Sequence, residues 1–138
     1  MVTGFVGKPI TWDRHKTINE KCMDIEQLRE MISDGWELAS HGITHQNFAL
    51  ITRDLIVEEL RESKAWITDN LKVEPVCFVL PYGSLPIVMK SREFVALVKK
   101  YYPYLRRNSK TSYSVFHGLK NNDKEYRKLL WLVNGIKV

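Results

Sequence analysis

The feature that most constrains this fold is a pair of short apolar runs, residues 36–40 and 76–80, set on either side of one long amphipathic stretch. In that stretch Ile56, Leu60, Ile67 and Leu71 recur at helical spacing, with Glu58, Glu59, Arg61 and Glu62 expected to face water. The pattern predicts a helix over residues 54–71. A strand, a helix of this length and a second strand make a crossover unit, which joins parallel strands rather than a hairpin. Both runs end in turn-forming residues. The first passes into Ser40-His-Gly-Ile-Thr-His45 and the second into Pro81-Tyr-Gly83.

The rest of the chain extends the same alternation. Residues 2–6 read as the end of a buried strand, followed by a polar loop to Lys21 whose Asp13 and His15 have the chemistry of ligands but read as surface-loop residues. Asp24 opens a helix with Gln27 at the reciprocal capping position. Its apolar face is Ile25, Leu28, Met31 and Ile32, and Gly35 stops it. Phe48 and Leu50 should pack down from the loop after the first run. Ser91 caps a further helix whose buried face is Phe94, Leu97, Val98 and Tyr101. A strand over residues 113–116 and a last helix from Asn122 complete the chain. Strands alternating with helices place the protein in the α/β class, as one domain over residues 1–138.

Composition excludes several alternatives. No run is long enough for a transmembrane helix, and the N-terminus lacks a signal-peptide pattern. Two cysteines, Cys22 and Cys77, make no disulfide framework, and Cys77 reads as a small core residue. The net charge of +5 is densest over residues 99–107, where basic and aromatic residues interleave. That mixture suits single-stranded nucleic acid, but it equally suits a helix end running into a strand. No nucleic-acid motif accompanies it, so the partners expected do not include nucleic acid.

His41 and His45 carry the chemistry. One helical turn over residues 42–45 would project both imidazoles on one side, since positions four apart are neighbours on a helix. Two imidazoles at the end of a strand form half of a divalent metal site. The bland alternative is a pair of surface histidines.

Taken together, Ser40-His-Gly-Ile-Thr-His45 and the later Phe78-Val-Leu-Pro-Tyr-Gly83 resemble the motifs of the polysaccharide deacetylases. These are the family-four carbohydrate esterases, also described as the nodulation-type chitooligosaccharide deacetylase homology domain. The segment with Glu58, Glu59, Glu62, Ser63 and Lys64 is similar to the family's E-x-x-x-S-K segment, and the run-up over residues 27–38 also fits. The resemblance covers roughly residues 2–105 and implies a partial, distorted (β/α) barrel, truncated at both ends.

It also implies metal-dependent hydrolysis of N- or O-acetyl groups on carbohydrate, with zinc as the expected divalent cation. His41 and His45 match the metal histidines. Pro81 and Tyr82 match the groove wall, and the Tyr82 N–H matches the oxyanion donor. The departures bear on activity. The family's Asp-Asp motif, source of the base and the third ligand, is absent. The arginine often found before Pro-Tyr is replaced by Val79 or Leu80, and the late Leu-x-His motif is missing. His117 lies too early in the chain to replace it and reads as a surface residue beside Gly118. Little activity is therefore expected of this chain. A catalytically silent glycan- or protein-binding relative is the alternative. Without its first strand, the sheet should leave an open edge at residues 2–6, where a homo-oligomer is expected to form.

Overall fold

The computed structural model describes residues 1–10 and 21–107. Helix α1, Ile25–Ser33, is followed by α2, Arg53–Leu71, strand β1, Cys77–Leu80, helix α3, Ser91–Val98, and strand β2, Tyr104–Arg107. The two strands are parallel, with Phe78 opposite Leu105. On the other side of β1, Ser40 makes a parallel bridge to Phe78: its N–H donates to the Cys77 carbonyl and its carbonyl accepts from Val79 N–H. Met1 lies against that segment in turn, accepting from His41 N–H at 2.7 Å and donating from its amino group to the Ala39 carbonyl. Met1, Ser40, β1 and β2 thus run the same way, as crossover helices require, while Pro9 and Lys21 form a separate antiparallel bridge.

Local chemistry explains most boundaries. The Asp24 carboxylate accepts from Gln27 N–H while the Gln27 side chain accepts from Asp24 N–H, closing the expected capping box on α1. Thr52 caps α2 in the same sense, accepting from Leu55 N–H. Helix α3 begins on Ser91 itself, with Lys90 as its cap; the Glu93 side chain accepts from Lys90 N–H, so Ser91 is the first helical residue rather than the cap.

The core lies between β1 and the helices. Ile56 and Leu60 from α2 meet Phe78 and Leu80 from β1, Phe94 and Val98 from α3, and Phe48 and Tyr102 from the loops. Phe78 stacks obliquely on Phe48 and Tyr102, with ring centroids 5.6 and 5.4 Å away. A second cluster joins Leu28 of α1 to Ile67 and Leu71 of α2. Cys77 is buried, and burial pushes its thiol up to about 11, so it stays protonated as a core residue.

Several expectations change. Residues 2–6 are not a strand, because Thr3–Phe5 forms a 3-10 turn. Thr3 and Gly4 spend their N–H groups on the carbonyls of Gly42 and Ile43, while Phe5 and Val6 bond back locally. The open strand edge expected there for an oligomer is consequently not formed. Residues 36–40 contribute only the Ser40 bridge, since Trp36 N–H is still tied to Met31 at the end of α1 and the Trp36 ring is exposed. Phe48 packs down but Leu50 stands 79% exposed. Tyr102, not Tyr101, is the fully buried aromatic after α3. Glu59 faces inward rather than water. The basic-aromatic run is thus a helix end entering a strand, anchored in the core by Tyr102 and Leu105. The strand expected at residues 113–116, the helix from Asn122, and Asp13, His15 and His117 lie outside the described residues.

Candidate functional site

The chain leaves its bridge at Ser40 and turns immediately. Gly42 has φ 80° and His45 φ 59°, so residues 42–45 are not a helical turn. Two left-handed residues fold the loop back on itself, and the rings meet all the same. His41 Nε2 and His45 Nε2 are 3.2 Å apart, with the ring planes inclined at 61°. The sequence expectation of convergence holds, by a different backbone path.

His41 Nδ1 lies 2.6 Å from the Val79 carbonyl of β1. A carbonyl only accepts, so Nδ1 carries the proton, and in the neutral ring Nε2 is left with its lone pair directed at His45. Burial pushes the His41 pKa down to about 4 against the opposing effect of that hydrogen bond, and the N-terminal ammonium and His45 lower it further. Burial also lowers the pKa of His45, opposed by the nearby Glu59 carboxylate. Both rings are therefore neutral at neutral pH. Neutral imidazoles with one nitrogen anchored on a carbonyl have the form that binds metal. Two nitrogens at ~2.0–2.1 Å from one tetrahedral ion stand ~3.3 Å apart, which the observed separation matches. The donor set fits a divalent ion, although among the described residues no group of three His, Cys, Asp or Glu comes together.

Pro81 and Tyr82 come to the same place from the end of β1. Pro81–Gly83 is a tight turn in which Pro81 is buried and Tyr82 has φ 57°. The Tyr82 ring is 57% exposed and stands 4.8 Å from the His45 ring, centroid to centroid. Arg107, at the end of β2, holds this turn by donating from Nε to the Gly83 carbonyl at 2.6 Å. All four residues expected at the site thus gather at the ends of parallel strands, where barrel folds of this class place their chemistry. His45 and Tyr82 are also two of three non-glycine residues with positive φ among those described, the third being Lys72. Such strain persists only where the surroundings over-determine it.

Glu59 and Ser63 belong to the helical segment that resembles the family's E-x-x-x-S-K pattern, and sequence reasoning does not place them in the site. Glu59 is 4% exposed; its carboxylate accepts from Ile43 N–H at 2.6 Å, from Thr44 N–H at 3.3 Å, and from the Thr44 hydroxyl. Ser63 is also buried, receives a hydrogen bond from the Ser40 hydroxyl at 2.9 Å, and lies 2.8 Å from the Tyr102 hydroxyl. A signal for both was present. Positions 56, 59, 60, 63 and 67 form one helical stripe, so the apolar pattern itself turned Glu59 and Ser63 inward.

Known structures share this fold. The chain is similar in structure to a polysaccharide deacetylase from Bacillus cereus, with TM-score 0.54 and 22% identity over 67% of this chain and 28% of that one. It is similar to a Streptococcus pyogenes deacetylase solved in complex with acetate, with TM-score 0.53 and 16% identity over 63% and 37% of the two chains. A third likeness, with TM-score 0.52 and 18% identity over 59% and 28% of the two chains, is to a mutant of a family-four carbohydrate esterase pseudoenzyme with restored activity. The chain therefore spans less than two fifths of each of these structures. No curated protein matches it. These likenesses show the fold, a part of a distorted (β/α) barrel, and the polysaccharide deacetylase family model matches residues 2–101. With that match over most of its length, the chain belongs to the polysaccharide deacetylase family.

Proposed function

We propose that this chain carries the histidine half of a metal-dependent deacetylase site acting on acetylated carbohydrate. The observation that supports it most is the His41–His45 pair, with its 3.2 Å separation and the His41 ring oriented by Val79. His41 Nε2 and His45 Nε2 would hold a divalent cation, zinc by preference. When bound, such an ion polarises an acetyl carbonyl and makes water nucleophilic at neutral pH. Pro81 and the exposed Tyr82 ring would wall the sugar groove, and the Tyr82 N–H would donate to the oxyanion as the acetyl carbon becomes tetrahedral.

The proposal assigns neither the third ligand nor the general base to a described residue. The chain contains no Asp-Asp pair, and the Glu59 carboxylate is engaged by the loop behind the rings. Loss of a general base lowers rates by roughly two to four orders of magnitude. A second reading is a catalytically silent relative that binds glycan or a protein through the same groove.

Incubating the purified chain with N-acetylated chitooligosaccharides and zinc, while following acetate, tests both. Acetate release near the uncatalysed level is expected, together with zinc binding that disappears in the His41→Ala/His45→Ala double variant. Robust metal-dependent release would show that another side chain supplies the base. Release that survives the double variant would overturn the histidine assignment itself.

A further inference from the structure

One turn of α2 grips the histidine loop at both ends. At the near end Ser40 Oγ donates to Ser63 Oγ at 2.9 Å and accepts from Gly42 N–H at 3.3 Å, while Ser63 Oγ donates onward to the Glu59 carbonyl at 2.5 Å. At the far end the Glu59 carboxylate takes the N–H groups of Ile43 and Thr44 and the Thr44 hydroxyl, the donors immediately before His45. A carboxylate in an interior persists only where such donors replace its water. The contact is close: a Cβ on Gly42 would stand 2.5 Å from Glu59 Oε2.

We propose that Glu59 and Ser63 are positioning residues that set the shape of residues 41–45 and thereby bring the two imidazoles to one point. The inference rests on reading His41 and His45 as metal ligands. The five-residue loop contains two left-handed residues, Gly42 and His45, and its Ile43 and Thr44 N–H groups donate to the Glu59 carboxylate. Glu59 supplies the acceptors for these donors, and Ser63 ties the root of the loop to the same helix turn. Their hydrogen bonds to the loop go to the backbone of Ile43 and Thr44 and to the Ser40 and Thr44 hydroxyls, so both position the rings through the loop.

Two measurements on the full chain decide it. The first is zinc affinity, read by competition with a chromophoric chelator well below the unfolding temperature. The second is amide hydrogen exchange at Ile43 and Thr44, with the nuclear Overhauser contact between the two imidazoles, in the absence of metal. Glu59→Leu is expected to weaken zinc binding roughly 10–100-fold, the usual range for groups that orient ligands. It should also speed exchange at both amides and lose the ring–ring contact. Glu59→Gln, which keeps one acceptor oxygen, should recover part of each effect. Ile67→Val, in the second core cluster, serves as the stability control and should lower the melting temperature without changing zinc affinity. If Glu59→Leu does not fold, Thr44→Val removes one donor of the same set and should shift the same readouts in the same direction.

Unchanged affinity, exchange and ring contact in the Glu59 variants would overturn the inference while leaving the metal reading intact. If the native chain binds no zinc, that reading fails separately. Exchange and ring contact then decide the inference, faster exchange with lost contact supporting the clamp and unchanged values refuting it.

Discussion

Gly42 shows how closely individual residues are constrained here. Its φ of 80° lies where a side chain costs about 1–2 kcal/mol, and the space a Cβ would need is occupied by Glu59 Oε2. Gly42→Ala is therefore expected to destabilise the protein by about 1–2 kcal/mol or more, and to displace Glu59 from Ile43 and Thr44. Urea unfolding checks the first effect and amide exchange at Ile43 the second. At this scale the sequence was legible in part. The identity and spacing of His41 and His45 led to the correct pairing of rings, yet the helical turn invoked to explain it does not exist. Positive φ at a histidine leaves no trace in composition, because histidine is not selected for that conformation as glycine is. The inward carboxylate of Glu59 was hidden for another reason: glutamate on a helix is normally solvated, and only the spacing from Ile56 and Ser63 marked it.

Among the elements, the helices were the most readable, because their amphipathic period and caps are local. The Asp24–Gln27 box and the buried stripe of α2 both follow from spacing alone. Strands were less so. Residues 2–6 are apolar enough for a strand, but Gly4 lies so near the Ile43 carbonyl that a Cβ would stand 2.5 Å from it, and the backbone turns instead of pairing. That approach depends on a loop nearly forty positions away, which no local pattern records. The end of α2 offers a test of the local physics. Lys72 stops the helix in the left-handed region at φ 59°, a place usually taken by glycine. Lys72→Gly should stabilise the protein by about 1 kcal/mol, seen as a melting temperature higher by a few degrees. An unchanged or lower value would contradict the strain assigned to that residue.

For the whole molecule, the parallel order of Ser40, β1 and β2 follows from the alternation of strands and helices, and the motifs carried the family. Both come from features that survive in a partial barrel: crossover helices and strand-end loops. The meeting of His41, His45, Pro81 and Tyr82 is the product of that topology, since parallel strands deliver their ends to one side. The central claim is that the two imidazoles form a metal-binding pair. Anomalous diffraction at the zinc edge from crystals soaked in zinc tests it most directly. A peak ~2.0–2.1 Å from both His41 Nε2 and His45 Nε2 is predicted, absent from the His41→Ala/His45→Ala variant. A map with zinc bound elsewhere and none between the rings would contradict it.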